Sequence, residues 1–216
     1  MPTQNLHELI DHTLLVSTAT RAQIAQLCVE ARECRFYSVC INPYWIADCR
    51  KLLEGSGVKV CTVVGFPLGA TSSRAKAAET KIAVEAGADE LDMVINLGAA
   101  KEGHWDFIEH EIHEIVSLAQ GRIVKVILET ASLTPEEIVD GSRRVVSAGA
   151  HFVKTSTGFG AGGATVEAVK LMRDTVGCQF GVKASGGIKT RAQAEALIAA
   201  GATRIGSSAS VALVTE

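Results

Sequence analysis

The sequence predicts an α/β protein: a closed (β/α)8, or TIM, barrel, with residues 1–216 as one domain. Three observations carry this. Short, nearly continuous apolar runs alternate with helical patterns eight times, as expected of parallel strands covered on both faces. Three segments share one helix-end signature, Glu85-Ala86-Gly87-Ala88-Asp89, Ser147-Ala148-Gly149-Ala150-His151 and Ala199-Ala200-Gly201-Ala202-Thr203. In each, a glycine follows a helix and the chain re-enters a strand. No linker or shift in composition divides the chain. An open doubly wound sheet is the alternative on pattern alone.

The units follow in order. Residues 10–15 form a short apolar run enclosing Asp11, His12 and Thr13. Residues 20–34 read as a helix capped by Thr20, with Ile24, Leu27, Cys28 and Ala31 on one face. A strand over 37–41 is broken by Asn42-Pro43, and helical spacing resumes over 44–53. A strand over 58–66 ends at Pro67-Leu68-Gly69, and a helix spans 72–86. A strand over 90–96 precedes a helix over 104–119. A strand over 123–129 precedes Thr134-Pro135-Glu136-Glu137, which opens a helix reaching about Ala148. Strands over 152–154, 180–183 and 204–206 alternate with helices over 165–176 and 190–200, and a short helix closes the chain.

Composition bounds the function. Hydrophobic residues make up 47% and the formal charge is -3, with no basic block. That describes a globular protein and argues against nucleic acid or an anionic membrane as partner. No apolar stretch approaches a membrane span, and the start Met1-Pro2-Thr3-Gln4-Asn5 predicts no secretory signal. The six cysteines form no C-x-x-C pair, which predicts reduced thiols in the cytoplasm. Neither a Walker loop nor a dinucleotide fingerprint is present. His110 and His113 lack zinc spacing and read as solvated helix residues, and Cys40 reads as core.

In a barrel, catalytic groups sit at the C-terminal ends of the strands. Polar residues there include Asp11, Thr13, Asn42, Asp92, Asn96, Glu129, Lys154 and Lys183. Lys154 follows the apolar pair Phe152-Val153 and opens into a loop of small polar residues. Alone it reads either as a lysine snorkelling to the surface or as a desolvated nucleophilic amine. Lys183 repeats the pattern on the next strand, so the two ammonium groups should be neighbours, each disfavouring the other's charge. Asp92 lies inside the run Leu91-Asp92-Met93-Val94-Ile95 and requires a cation. The three groups together point to Schiff-base chemistry on a carbonyl, with a buried ion pair that only fills the barrel as the alternative.

Ser185-Gly186-Gly187-Ile188-Lys189-Thr190 and Arg204-Ile205-Gly206-Ser207-Ser208 are the loops after strands seven and eight, where barrels often hold a phosphate. Gly158-Phe159-Gly160-Ala161-Gly162-Gly163 is a further glycine-rich loop beside Lys154, either a cover or a connector. An isomerase using Asp92 as its base, or a phosphosugar-binding barrel without catalysis, would use the same residues.

From end to end the chain resembles the deoxyribose-phosphate aldolase family. The matching stretches are Ile10-Asp11-His12-Thr13-Leu14, Ser38-Val39-Cys40-Ile41-Asn42-Pro43, Gly65-Phe66-Pro67-Leu68-Gly69, Glu90-Leu91-Asp92-Met93-Val94-Ile95-Asn96, Val153-Lys154-Thr155-Ser156-Thr157-Gly158-Phe159, Val182-Lys183-Ala184-Ser185-Gly186-Gly187-Ile188 and Arg204-Ile205-Gly206. The resemblance implies a class I aldolase that reversibly cleaves 2-deoxy-D-ribose 5-phosphate to acetaldehyde and D-glyceraldehyde 3-phosphate, in deoxyribose phosphate catabolism. It implies that Lys154 is the Schiff-base lysine, Lys183 the second lysine of the proton relay, and Asp92 the proton-transfer group. Phosphate contacts would fall on Gly186, Gly187, Gly206 and Ser208, and Asp11 and Thr157 match polar positions of the pocket. The resemblance further implies a cytoplasmic enzyme without metal or cofactor, assembled as a dimer or tetramer. Some family members end in an aromatic residue that reaches the site. This chain ends Val214-Thr215-Glu216, and no tail-dependent step is carried over.

Overall fold

The computed structural model describes residues 5–215. The readings of the Met1-Pro2-Thr3-Gln4 start and of the terminal Glu216 lie outside the described residues. Eight parallel strands form a closed barrel in chain order. They are β1 (Ile10–Leu14), β2 (Ser38–Ile41), β3 (Lys59–Val64), β4 (Glu90–Val94), β5 (Ile123–Ile127), β6 (Phe152–Lys154), β7 (Gly181–Ser185) and β8 (Arg204–Ser207). Pairing of Ile10 with Ile205 and of Asp11 with Gly206 closes β1 onto β8 and rules out the open sheet. The helices are α1 (Arg21–Glu33), α2 (Ile46–Leu52), α3 (Ser73–Glu85), α4 (Leu97–Lys101), α5 (Trp105–Leu118), α6 (Pro135–Ser147), α7 (Val166–Val176), α8 (Arg191–Ala199) and α9 (Ser210–Thr215). Among the described residues no helix is long and apolar enough to cross a membrane.

Helix starts follow local chemistry. Thr20, Thr134 and Thr190 each build a capping box with the Gln or Glu three residues on. Boundaries depart from the sequence reading where the backbone turns. The β3 strand stops at Val64 because Gly65 turns into the left-handed region, at φ 63°. The β4 strand stops at Val94, and Asn96 instead caps the additional helix α4, accepting from the Ala99 N–H at 3.1 Å. The β5 strand stops at Ile127, and Glu129 takes φ 57° before a single 3-10 turn over Thr130–Ser132.

Two surfaces of each strand do different work, because side chains alternate. Outward residues such as Val39, Ile41, Leu91, Met93, Val124 and Val126 pack with Ile24, Ile108, Ile112 and Val145 of the helices in one apolar layer. Inward residues include a small apolar group of Leu15, Cys40, Cys61 and Val63, backed by Phe66. Cys40 is thus core, as its sequence context suggests. Beside this group the interior carries a cluster of buried charges.

One buried ion pair fixes the height of β4. Lys76 on α3 is fully buried, and its ammonium donates to the carbonyl of Val94 at 2.8 Å and to Glu111 of α5 at 2.7 Å. Ser73 donates to the other Glu111 oxygen at 2.8 Å. Two helices are thereby tied to the strand that carries Asp92. Glu111→Ala strands the Lys76 ammonium in an apolar layer and should destabilise the fold by roughly 3–5 kcal/mol. The double change Lys76→Met, Glu111→Leu should recover most of that loss. Urea unfolding of the three proteins checks both statements, and equal losses in the single and double variants would refute them.

Candidate active site

Seven ionisable side chains meet inside the barrel. Strand parity places Asp11, Glu90, Asp92, Lys125, Lys154, Lys183 and Arg204 on the inner surface, and all are buried. Asp92 is the centre. Its Oδ1 takes the Lys125 ammonium at 2.7 Å, and its Oδ2 takes Lys183 at 2.7 Å and Lys154 at 2.8 Å. Lys125 also meets Glu90 at 2.7 Å. Arg204 bridges Asp11 at 2.9 Å and Glu90 at 3.0 Å. Lys183 donates to Asp11 as well, and the Ser38 hydroxyl donates to the other Asp11 oxygen at 2.7 Å.

The electrostatics follow from this wiring. Burial alone would raise the Asp92 carboxyl, but the ammonium groups of Lys125, Lys154 and Lys183 outweigh it and hold it well below the usual carboxylate range. Burial likewise acts to raise Asp11, and Lys183, Arg204 and Lys125 overcome it. For Lys183, burial disfavours the ammonium, yet Asp11 and Asp92 win and raise the group above its ordinary value. This corrects the expectation that the neighbouring lysine lowers the Lys183 pKa: Asp11 and Asp92 favour its ammonium. Four cations face three carboxylates, so the group is neutral overall when one amine gives up its proton. Lys154 has one carboxylate oxygen where Lys183 has two, and it stands at the cavity end of the network.

Above the network a cavity of about 300 Å³ opens at the C-terminal ends of the strands. Lys154 and Lys183 form its floor, paired directly across β6 and β7. Thr157, Gly186, Gly187, Gly206 and Ser208 line its walls, and so does Lys189, a cation the sequence reading left unassigned. Gly186 and Gly187 both take positive φ, at 88° and 76°, which turns the backbone as a side-chain-bearing residue would resist. Gly206 is required by proximity: a Cβ there would lie 3.1 Å from Cε of Lys183 and crowd its path to the floor.

Not every sequence candidate reaches the cavity. Asp92 lies beneath it, reached only through the lysines. Asp11 is also beneath it, with both oxygens held by Lys183, Arg204 and Ser38, so it supports Lys183 and does not border the pocket. Thr157 borders the cavity, but its hydroxyl donates to Glu129. Asn42 donates to the Leu15 carbonyl at 3.1 Å, and the Thr13 hydroxyl donates to the Asp11 carbonyl at 2.8 Å.

Lys125, Glu90 and Arg204 are the network members that sequence reasoning missed. The signal was available: Lys125 interrupts Ile123-Val124-Lys125-Val126-Ile127 as Asp92 interrupts its own strand, and the two are register partners. A search confined to strand ends passed over it.

Two trios of possible metal ligands lie within 4.8 Å among the described residues, Cys40 with Cys61 and Asp92, and Asp11 with Cys61 and Glu90. Their carboxylates already face Lys125, Lys183 and Arg204, which leaves no free anionic cage.

Comparison with known proteins matches this arrangement to one family. Residues 6–211 match the model of the DeoC/LacD family aldolases. A deoxyribose-phosphate aldolase of Geobacillus sp. (strain WCH70) is 56% identical over 211 residues, spanning 97% of this chain and 95% of that protein. Deoxyribose-phosphate aldolase 1 of Vibrio vulnificus (strain YJ016) is 54% identical over 210 residues, with 97% and 96% covered. Among solved structures, a deoxyribose phosphate aldolase from Aeropyrum pernix, described as having a unique tetrameric structure, superposes with a TM-score of 0.91. It is 35% identical, with 97% of this chain and 89% of that chain covered. By its barrel, by its sequence over nearly its whole length and by these relatives, the chain belongs to the DeoC/LacD family of aldolases.

Proposed function

We propose that this enzyme reversibly cleaves 2-deoxy-D-ribose 5-phosphate to acetaldehyde and D-glyceraldehyde 3-phosphate through a Schiff base on Lys154. The observation that carries the proposal is the Lys154 amine at the cavity floor, sharing a single carboxylate oxygen with the neighbouring Lys183. The names of the relatives support the choice of sugar. Residues 1–216 act as one catalytic domain in this reading.

The chemistry follows from carbon count and charge. Neutral Lys154 adds to the C1 aldehyde of the open-chain sugar, and the carbinolamine hydroxyl takes a proton through water from the Asp92–Lys183 pair and leaves as water, giving an iminium. Acetaldehyde carries C1 and C2, so the C2–C3 bond breaks. Its electron pair flows to the iminium to give an enamine, while C3 becomes the carbonyl of glyceraldehyde 3-phosphate. The C3-hydroxyl proton leaves through water to the Asp92–Lys183 pair and returns to C2 of the enamine. Because Asp92 is held ionised, it serves as a relay and not as a resting store of the proton. Water then hydrolyses the acetaldehyde iminium and frees Lys154.

The remote phosphate orients this step. The backbone of Gly186, Gly187 and Gly206, the Ser208 hydroxyl and the Lys189 ammonium form the anion-binding end of the cavity. In the same reading the enzyme works in the cytoplasm, in deoxyribonucleotide catabolism, with no metal or cofactor, and it self-associates as a dimer or tetramer. The Aeropyrum pernix tetramer supports the last point, and a monomer mass by light scattering would overturn it.

Borohydride reduction in the presence of acetaldehyde should leave an ethyl group on Lys154, read by peptide mass. An unmodified Lys154 would remove the Schiff base and leave an isomerase or a binding-only barrel. Lys183→Leu takes one cation from the network, so Lys154 is then needed as a cation to balance three carboxylates. Turnover should slow and the pH–rate profile should move to higher pH, and an unmoved profile would refute the charge argument. Lys189→Ala should raise KM about tenfold for the phosphorylated sugar. It should leave unphosphorylated 2-deoxyribose unaffected, and equal effects on both sugars would exclude a phosphate contact.

A further inference from the structure

Glu129 is a buried carboxylate that no step above uses. It is 3% exposed, and among the described residues no cation lies in salt-bridge contact with it. Its position is built with care. Beyond the end of β5, the Leu128 N–H still donates to the Lys154 carbonyl at 3.0 Å, and the Thr130 N–H to the Thr155 carbonyl at 2.9 Å. Glu129 sits between these two bonds in the left-handed region, φ 57° and ψ 61°, where a residue with a side chain is uncommon. Arg35 and Gln120 take the same region, so what singles out Glu129 is what its side chain touches.

The side chain reaches the loop after β6. One oxygen, Oε2, accepts both the Thr157 N–H, at 3.1 Å, and the Thr157 hydroxyl. The other, Oε1, is buried with no partner. The glycine-rich loop closes over the carboxylate: a Cβ on Gly160 would lie 2.9 Å from Cδ of Glu129.

The consequence falls on Thr157. A hydroxyl has one proton and two lone pairs. The proton goes to Glu129, and one lone pair accepts the Phe159 N–H at 3.0 Å. One lone pair remains, on a residue that lines the cavity. We propose that Glu129 is a positioning residue that locks Thr157 as an acceptor-only contact, through which the enzyme reads a hydroxyl on the aldehyde half of its substrate. This rests on the aldolase reading above. A substrate hydroxyl in reach must donate to Thr157. A substrate lacking that hydroxyl leaves the lone pair empty and gains nothing from the contact.

The test compares two acceptors for acetaldehyde that differ only at C2, D-glyceraldehyde and 3-hydroxypropanal. Glu129→Asp keeps the charge and a residue that tolerates the left-handed backbone, and withdraws the carboxylate by one methylene. The ratio of kcat/KM values, D-glyceraldehyde over 3-hydroxypropanal, should fall about tenfold, with the 3-hydroxypropanal value within about twofold of the parent. Thr157→Val should lower the ratio by a similar factor, and adding Glu129→Asp to it should lower it no further. A parallel fall for both acceptors would make Glu129 a mere loop support and overturn the proposal, as would an unchanged ratio or additive effects in the double variant. Should the aspartate variant fail to fold by circular dichroism, Glu129→Ala is read in the same way. Loss of the Lys154 adduct in the parent enzyme would sink the aldolase reading itself. An intact adduct with an unchanged ratio would sink only the role of Glu129.

Discussion

The structure depends on a carboxylate shared by three ammonium groups inside a closed barrel. Removing a charge from water costs several kcal/mol even after relaxation, and Asp92 with Lys125, Lys154 and Lys183 would cost four times that if left unpaired. None can move alone, because each is the partner that makes another tolerable. The barrel closure, the strand register and the Lys76 strut all hold these four groups at mutual contact distances near 2.7 Å. Asp11, Glu90 and Arg204 extend the same logic toward the opposite end of the barrel, where the Arg204 guanidinium lies 3.5 Å over the Tyr37 ring.

Such a network is also a source of chemistry. Charges fixed in a low dielectric keep their full effect on one another and need no reorganisation when a reaction begins. Three of the four cations have two or more anionic contacts, and the fourth, Lys154, has one. Of the two network cations that border the cavity, Lys154 is therefore the less committed and Lys183 the more. The proposed iminium on Lys154 would keep one N–H and place a cation where the ammonium had been, leaving the charge pattern of the network unchanged.

Much of this was legible in the sequence, and the limits have physical causes. Alternating apolar runs gave the barrel, since a parallel sheet must be covered on both faces. Lys154 and Lys183 stood out because each ends an apolar strand, and their adjacency follows from strand order. Pairing was less accessible. The charge state of Lys183 depends on Asp11, 172 residues away in the chain, and on the Arg204 bridge behind it. Repulsion between two lysines could be read from the sequence; the carboxylates that reverse its effect on Lys183 could not be placed. Lys125 was hidden for a different reason, since it lies mid-strand where a barrel interior is expected to be apolar. Glu129 looked like the end of a strand, and only the left-handed backbone shows that its side chain turns away from the network toward Thr157.

That turn divides the cavity into parts with separate duties. The floor carries the two lysines, to which the proposed reaction assigns C1 to C3 of the sugar. The walls carry Gly186, Gly187, Gly206, Ser208 and Lys189, to which the proposed function assigns the phosphate. Thr157 lines the same cavity, and its hydroxyl donates to Glu129, a carboxylate outside the lining. Had Glu129 been wired to Lys154 or Lys183, its charge would have tilted the network toward neutrality and made a free amine harder to reach. Among the described residues Glu129 makes no salt bridge, so the proposed contact with the sugar hydroxyl is separate from the network that holds the amine.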